Sequence, residues 1–305
     1  MTERPEFRTQ PAPRSTVRFS VIVPTYQRPA HIAACLAALR RVERPAGELE
    51  VVVVNDGGDP LPASLMSGAH DDSFSLRVID QDNAGPGPAR NAGAAVARGE
   101  LLAFTDDDCR PDAGWLVAFD AALRAEPHAL AGGRTVNALT SNPYAEASQR
   151  LVDFVAAYFH GGVGGRFFTS NNLAVSRDAF LAFGGFATRF TRFTAEDREF
   201  CDRWSAEGRP SVSVPNAVVQ HYHDLSAARF LRQHFGYGRG AAGFRRVRAA
   251  AGRPSRLDPS FYFQSLRYAA NGRGLHGIVD GALVALAHAV QAAGLLYESS
   301  RRGSD

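Results

Sequence analysis

The 305-residue chain contains no lysine; all 34 of its basic residues are arginine. With 31 acidic residues the formal charge is only +3. The one-sided choice of cation therefore reflects composition rather than a nucleic-acid surface, and no nucleic-acid partner is expected. Cysteine is scarce as well. Cys35, Cys109 and Cys201 form no paired framework and lack the close spacing of a zinc site, which excludes a disulfide-stapled fold and points to a reducing, cytoplasmic compartment. The opening MTERPEFRTQPAPRSTVR holds charge and proline but no apolar run of the signal-peptide kind, so residues 1–18 read as a disordered arm. No internal repeat is present. What the chain does have is 45% apolar residues, enough to fill a sizeable core.

Those apolar residues come in short runs. Residues 19–23 form a nearly continuous apolar stretch that stops at Pro24, the pattern of a strand buried on both faces. Ile32, Cys35, Leu36 and Leu39 then recur at helical spacing. Further strands are predicted over 49–54, 76–79 and 101–104, with a helix around 89–97. The alternation predicts an α/β fold with a mainly parallel sheet flanked by helices on both faces. In such sheets ligands sit beyond the carboxyl ends of the strands. Those ends carry Thr25, Tyr26 and Arg28, then Asp56, then Asp82 and Asn83, then Asp106 to Asp108. After residue 115 the pattern loosens: helices are expected over 115–124, 143–158 and 195–207, and strands over 129–136 and 212–219. Residues 167–175 are apolar apart from an inserted Ser170, Asn171 and Asn172.

Asp106, Asp107 and Asp108 would repel one another strongly unless a cation or solvent relieved them. Hard oxygen ligands on a short loop suit Mg²⁺ or Mn²⁺ shared with phosphate oxygens. A solvated acidic turn is the competing explanation of the triplet by itself. The Gly/Pro stretch from 85 to 93 lacks the spacing of a dinucleotide fingerprint, and Pro86 and Pro88 remove amide donors that a phosphate cradle needs. Arg90 and Asn91 could instead reach a donor phosphate or ribose. Glu196 and Asp197 open a helix behind Thr194, a cap candidate, and taken alone they read as dipole-stabilising acids. His221 and His223 alone read as ordinary histidines at a strand end.

Together, the stretches SVIVPTYQRP, VVVVNDGG, DNAGPGPARNAG, FTDDDCRPDAGWL, FTSNNLAVSRDAF with GGF, AEDREFCDRW, and HYH leading to FGYGRG resemble the family 2 glycosyltransferases in their order along residues 19–240. The resemblance implies a GT-A fold with a Rossmann-like sheet, in which 19–115 bind a nucleotide sugar and 116–223 bind the acceptor and carry the catalytic residues. It implies an inverting, metal-dependent, hexosyltransferase-like enzyme with a UDP-, GDP- or dTDP-linked donor. Carried over by position, Thr25, Tyr26, Arg28 and Asp56 would line the nucleotide pocket, with Asp56 reaching the base, and Asn83, Arg90, Asp106 and Asp107 would complete the donor site. Asp106 and Asp108 would be the ends of the Asp-x-Asp signature, with His221, ahead of His223, completing the metal shell. Asn171 and Asn172 would border the donor sugar or the acceptor, and Arg203 would stand on the acceptor side. Asp197, beside Glu196, would be the general base.

Two other functions compete. A sugar nucleotidyltransferase would need a Gly-rich basic loop near the first strand, which is missing, and a catalytically silent binding subunit would not need the complete acidic set. The acceptor class is left open among polysaccharide or other glycan, glycolipid or lipid-linked acceptor, small-molecule natural product and modified peptide. Residues 224–305 form a basic extension expected to be helical. Between 225 and 257 there are eight arginines and no acidic residue. Over 275–297 an apolar helix pattern gathers Asp280, Gln291 and Glu298 within about 20° of one another at roughly 100° per residue. These polar residues make it a poor membrane span. It is expected to pack on the catalytic domain or on a second copy in a homodimer, or to hold the protein peripherally at the inner face of a membrane.

Overall fold

The computed structural model describes residues 16–63, 65, 73–160, 167–190, 195–254, 258–271 and 274–301. Most of the expected arm, residues 1–15, lies outside them. Its end does not: β1 spans Val17–Thr25, so Val17 and Arg18 belong to the sheet. Arg18 is held there by Asp120 and Glu100, which neutralise a guanidinium placed beside the core.

After β1 come α1 (Pro29–Leu39), β2 (Glu48–Asn55), β3 (Ser75–Asp80), α2 (Pro86–Val96) and β4 (Leu101–Phe104). The chain then forms β5 (Cys109–Pro111), α3 (Trp115–Ala125), β6 (Leu130–Asn137), α4 (Pro143–His160) and β7 (Leu173–Ser176). It continues through α5 (Arg177–Ala182), a 3₁₀ turn (Thr188–Phe190), α6 (Glu196–Ala206) and β8 (Ser211–His221). The eight strands form one sheet in the order β3-β2-β1-β4-β7-β6-β8-β5. β3, β2, β1 and β4 run parallel. β7 enters antiparallel to both β4 and β6, and β8 pairs parallel with β6 and antiparallel with β5.

Period-two alternation sorts the two cores. Val21, Val23, Val51 and Val53 point toward Ile32, Leu36, Trp115 and Phe119. Ile22, Val52, Val54 and Phe104 meet Ala89, Ala94, Phe180, Phe200 and Trp204 on the other face. Burial on both faces is why these strands read as continuous apolar runs. Of the apolar stretch 167–175 only its end becomes strand. Asn172 lies in the preceding turn, where its side chain accepts from Trp115 Nε1 at 2.8 Å and donates to the Ala217 carbonyl at 3.0 Å.

The extension consists of α7 (Ala227–Ala250), α8 (Pro259–Ala270) and α9 (Gly274–Ser300). Leu151, Phe230, Ala269, Val284 and Ala287 form a core of their own that joins these helices to α4. At the crossing of α7 and α9 the backbones approach so closely that a Cβ on Gly238 would strike the Gln291 carbonyl, and one on Gly294 would strike that of Phe235. Only glycine fits at either point.

Candidate active site

β4 ends at Phe104 and delivers Thr105, Asp106, Asp107 and Asp108 to the carboxyl edge of the parallel strands. β1 ends beside it, and the turn into α1 passes through Gln27, which has a positive φ of 52°. That left-handed residue, uncommon outside glycine, sets Arg28 facing the acids. The Arg28 guanidinium reaches Asp107 at 3.1 Å and Asp108 at 3.0 Å, and the Thr25 hydroxyl donates to Asp107 at 2.7 Å. The triplet is therefore not three equivalent solvated acids. Burial pushes Asp107 up to about 7 against the opposing charge of Arg28. Burial acts on Asp108 in the same sense, but the His221 hydrogen bond and charge, with Arg28, outweigh it and hold this carboxyl well below the usual range.

β8 brings His221 to Asp108, with Nε2 and Oδ1 3.4 Å apart. The His223 ring stacks on that of His221 at 4.8 Å, and burial together with the His221 charge lowers its pKa to about 4. Asp108, Cys109 and His221 have ligand atoms close enough to share one ion. Cys109 suits it poorly, because burial holds its thiol protonated. A carboxylate and an imidazole whose donor atoms stand at the spacing of adjacent coordination sites do fit a divalent cation.

Asp106 turns to Arg90 of α2, whose Nη2 lies 2.5 Å away. The same guanidinium reaches Glu196 through Nη1 at 3.1 Å, so it ties the β4 loop to the start of α6. Glu196 also accepts from the Ala195 amide at 3.0 Å. Thr194, the expected cap, lies outside the described residues. Among the described residues Ala195 stands at the N-cap without a side-chain cap bond. With Glu196 committed to Arg90, its neighbour Asp197 presents the half-buried carboxylate. Burial and the Glu196 charge push Asp197 up to about 7, against Arg90 and the amides of Arg198 and Ser170.

All of these groups line one cavity of about 1230 Å³: Thr25, Tyr26, Arg28, Asp56, Arg90, Asp106, Asp107, Asp108, Asn171, Glu196, Asp197 and His221. Its volume exceeds the roughly 300–1,000 Å³ of ordinary small-ligand sites, enough for two substrates at once. Five sequence-derived candidates stand elsewhere or are already engaged. Asn172 is spent on Trp115 and Ala217. Arg203 is clamped to Glu199 and to the carbonyls of Phe183 and Gly185, away from the cavity, because a guanidinium with five donors suits a loop rich in free carbonyls. Asn83 packs against Gly57 rather than lining the cavity. Asp56 does line it, yet its oxygens accept from Gln81, Ala84 and Gly85, which ties down the loop entering α2. Asn91 is likewise structural, exchanging hydrogen bonds with the Phe186 backbone. Sequence reasoning missed the wall made by α4, α7 and α9, which includes Gln149, His234 and Tyr237. Gln149 is a lone polar residue in a helix, and His234 and Tyr237, though at the FGYGRG stretch, carried no sign of facing the cavity.

Residues 20–188 match the model of glycosyl transferase family 2. The chain belongs to that family. Among similar curated proteins, AglE of Haloferax volcanii is 38% identical over 106 residues, covering 33% of this chain and 34% of its own length. The pre-mycofactocin glycosyltransferase of Mycobacterium tuberculosis is 29% identical over 215 residues, 68% of this chain and 44% of the relative. This family 2 member thus spans less than half the length of either. Among solved structures, the mannosyltransferase PcManGT of Pyrobaculum calidifontis, in complex with GDP-Man and Mn²⁺, superimposes with a TM-score of 0.58 at 20% identity, covering 99% of this chain and 85% of the other. TarS 1-349 of S. aureus in complex with UDP-GlcNAc gives 0.53 at 16% identity, covering 95% and 93%. At these identities the likeness establishes the GT-A fold.

Proposed function

We propose that the protein is an inverting, divalent-cation-dependent glycosyltransferase that moves a sugar from a nucleoside diphosphate to an acceptor hydroxyl. One observation carries this: the acidic loop at Asp106 to Asp108 and the raised carboxyl of Asp197 line the same large cavity, linked through Arg90. Asp108 and His221 would hold Mg²⁺ or Mn²⁺, with Asp106 near the same phosphates, and the ion would neutralise charge on the departing diphosphate. PcManGT, with its GDP-Man and Mn²⁺, and TarS, with UDP-GlcNAc, are precedents for such ligands on this fold.

The chain's own residues supply the rest. Thr25, Tyr26 and Arg28 border the donor end of the cavity. Arg90 and Glu196 orient the start of α6 and hold Asp197 in place. Asp197, with a pKa near neutrality, accepts the acceptor hydroxyl proton as the oxygen attacks the anomeric carbon, and one displacement inverts the configuration. Asn171, held by the hydroxyls of Thr135 and Thr169, borders the acceptor.

The test is a panel of UDP, GDP and dTDP sugars incubated with the protein with and without Mn²⁺ or Mg²⁺, scoring sugar release and, with an acceptor, the anomer formed. Metal-stimulated turnover of one donor, lost in Asp197→Asn, is expected. Release of pyrophosphate from a nucleoside triphosphate would make the protein a nucleotidyltransferase instead. Donor binding with no turnover would make it a binding subunit.

A further inference from the structure

α9 is inside out. In a surface helix the apolar stripe faces the core and the charges face water. Here Asp280 and Glu298 are buried, and Glu298 pairs with Arg239 at 2.7 Å and Arg246 at 3.8 Å, while the Gln291 amide lies 3.0 Å from His234 Nδ1. The outward positions include Leu275 at 81% exposure, Ile278 at 66% and Leu296 at 67%, with Val279, Leu286 and Tyr297 also exposed. Apart from His276, every other exposed position between 275 and 297 is alanine. The face runs for about 35 Å without a charge. Length and composition do let α9 reach the standard of a membrane-crossing helix, contrary to what its polar residues suggested. Those residues are instead spent inside the protein, Asp280 on Arg150 of α4, His288 on Ser265 of α8, and Gln291 and Glu298 on α7, so the helix lies along the protein rather than standing free.

The cavity ends at this same helix. Its polar wall holds the acids, and its far wall is built from Val152, Val155, Phe261, Leu295 and Leu296. Leu296 therefore both lines the cavity and stands on the exposed face. Exposed charge on the three helices of the extension is one-sided. Among the described residues from 226 to 301 the exposed charged side chains are Arg229, Arg232, Arg246, Arg267 and Arg301, against the single acid Asp258. Arg301 sits at one end of the stripe, donating to the Tyr297 hydroxyl at 2.7 Å.

The geometry points to an anionic lipid bilayer as the occupant of the outward face of α9, with the acceptor an amphiphile whose apolar chain enters the cavity past Leu295 and Leu296. An apolar stripe ending at Arg301, on an extension whose exposed charges are mostly arginine, matches the headgroup boundary of such a membrane. A second copy fits less well, because it would bring two arginine-rich surfaces together and cover the cavity where it meets Leu296. The acceptor class rests on the proposed transferase activity; the membrane contact does not.

Flotation of the full chain with phosphatidylcholine vesicles, with and without phosphatidylglycerol, tests the contact without reading catalysis. Binding to the anionic vesicles that salt weakens, and that Ile278→Glu reduces on the order of tenfold or more at unchanged Tm, is expected. Absence of flotation overturns the proposal. So does a concentration-dependent dimer in sedimentation that Ile278→Glu dissolves, which would assign the face to a second copy. The acceptor class is tested by calorimetric titration with butyl and decyl phosphate. Tighter binding of the decyl compound, abolished by Val152→Trp while flotation persists, supports it, and equal affinity for both overturns it.

Discussion

Arg90 and Glu196, 106 residues apart in the chain, meet in an ion pair of 3.1 Å with both side chains almost fully buried. Because Arg90 also holds Asp106, the position of the acidic loop and that of α6 are set by one guanidinium. A cation so enclosed is stable only while its partners are charged and in place; removing it strands the Glu196 carboxylate in a dry environment and frees Asp106 from the loop's anchor.

Arg90→Met is therefore expected to destabilise the protein by about 3–5 kcal/mol, the usual cost of breaking a buried pair from one side. Urea denaturation measures it. A loss well under 1 kcal/mol would mean that the link between Asp106 and Glu196 is incidental.

Asp197→Asn should lower turnover by roughly 10² to 10⁴, the usual contribution of a positioned general base, while donor affinity stays within about threefold. Steady-state kinetics beside calorimetric donor titration separates the two quantities. Unchanged turnover removes Asp197 from the mechanism.

The raised pKa of Asp197 has a sign in both activity and stability. Its carboxylate, the form able to take a proton, accumulates as pH rises through about 7, so turnover should climb across that range and then level off. In the unfolded chain the same group ionises near its ordinary value of 3.8, so between there and about 7 the unfolded state has released a proton that the folded state still holds. Folding stability attributable to this residue falls with rising pH across that window. Asp197→Asn should thus raise Tm at pH 8 by a few degrees, and by much less at pH 4. Thermal scans at the two pH values check this, and equal shifts would argue against a raised carboxyl at Asp197.

Asp108→Ala should weaken donor binding chiefly when metal is present, whereas chelation of metal should weaken binding to the wild type and leave the variant almost unchanged. Donor titrations with Mn²⁺ and with EDTA form the four arms. The same metal dependence in both proteins would move the ion to other ligands.

Gly238→Leu should detach α7 from α9, since the new side chain must displace the Gln291 backbone. Cost of about 3 kcal/mol or more is expected, at the upper end for overpacking, along with faster proteolysis of the extension while residues 17–221 stay folded. Limited digestion with mass readout checks it.

Much of this protein was legible before folding. The valine runs of β1 and β2, buried on both faces, carry their own period and length, and the acids at strand ends follow from parallel topology. Sequence also marked the Glu196 and Asp197 pair and the histidines after β8, but as types at positions, without partners. Tertiary structure decided how they divide the work, because burial and hydrogen bonding are properties of the assembled site. Arg28 and His221 keep Asp108 charged while Asp107 is pushed toward protonation, and Arg90 occupies Glu196 and leaves Asp197 to face the cavity. Arg203 and Asn172 matched a pattern yet serve as struts, since carbonyls and an indole from distant segments lie closer to them than the cavity does. The polarity of α9 was the least visible of all. Its periodicity showed that it had two faces, but which one meets protein depended on Arg239, Arg246 and His234, placed against it by a different helix.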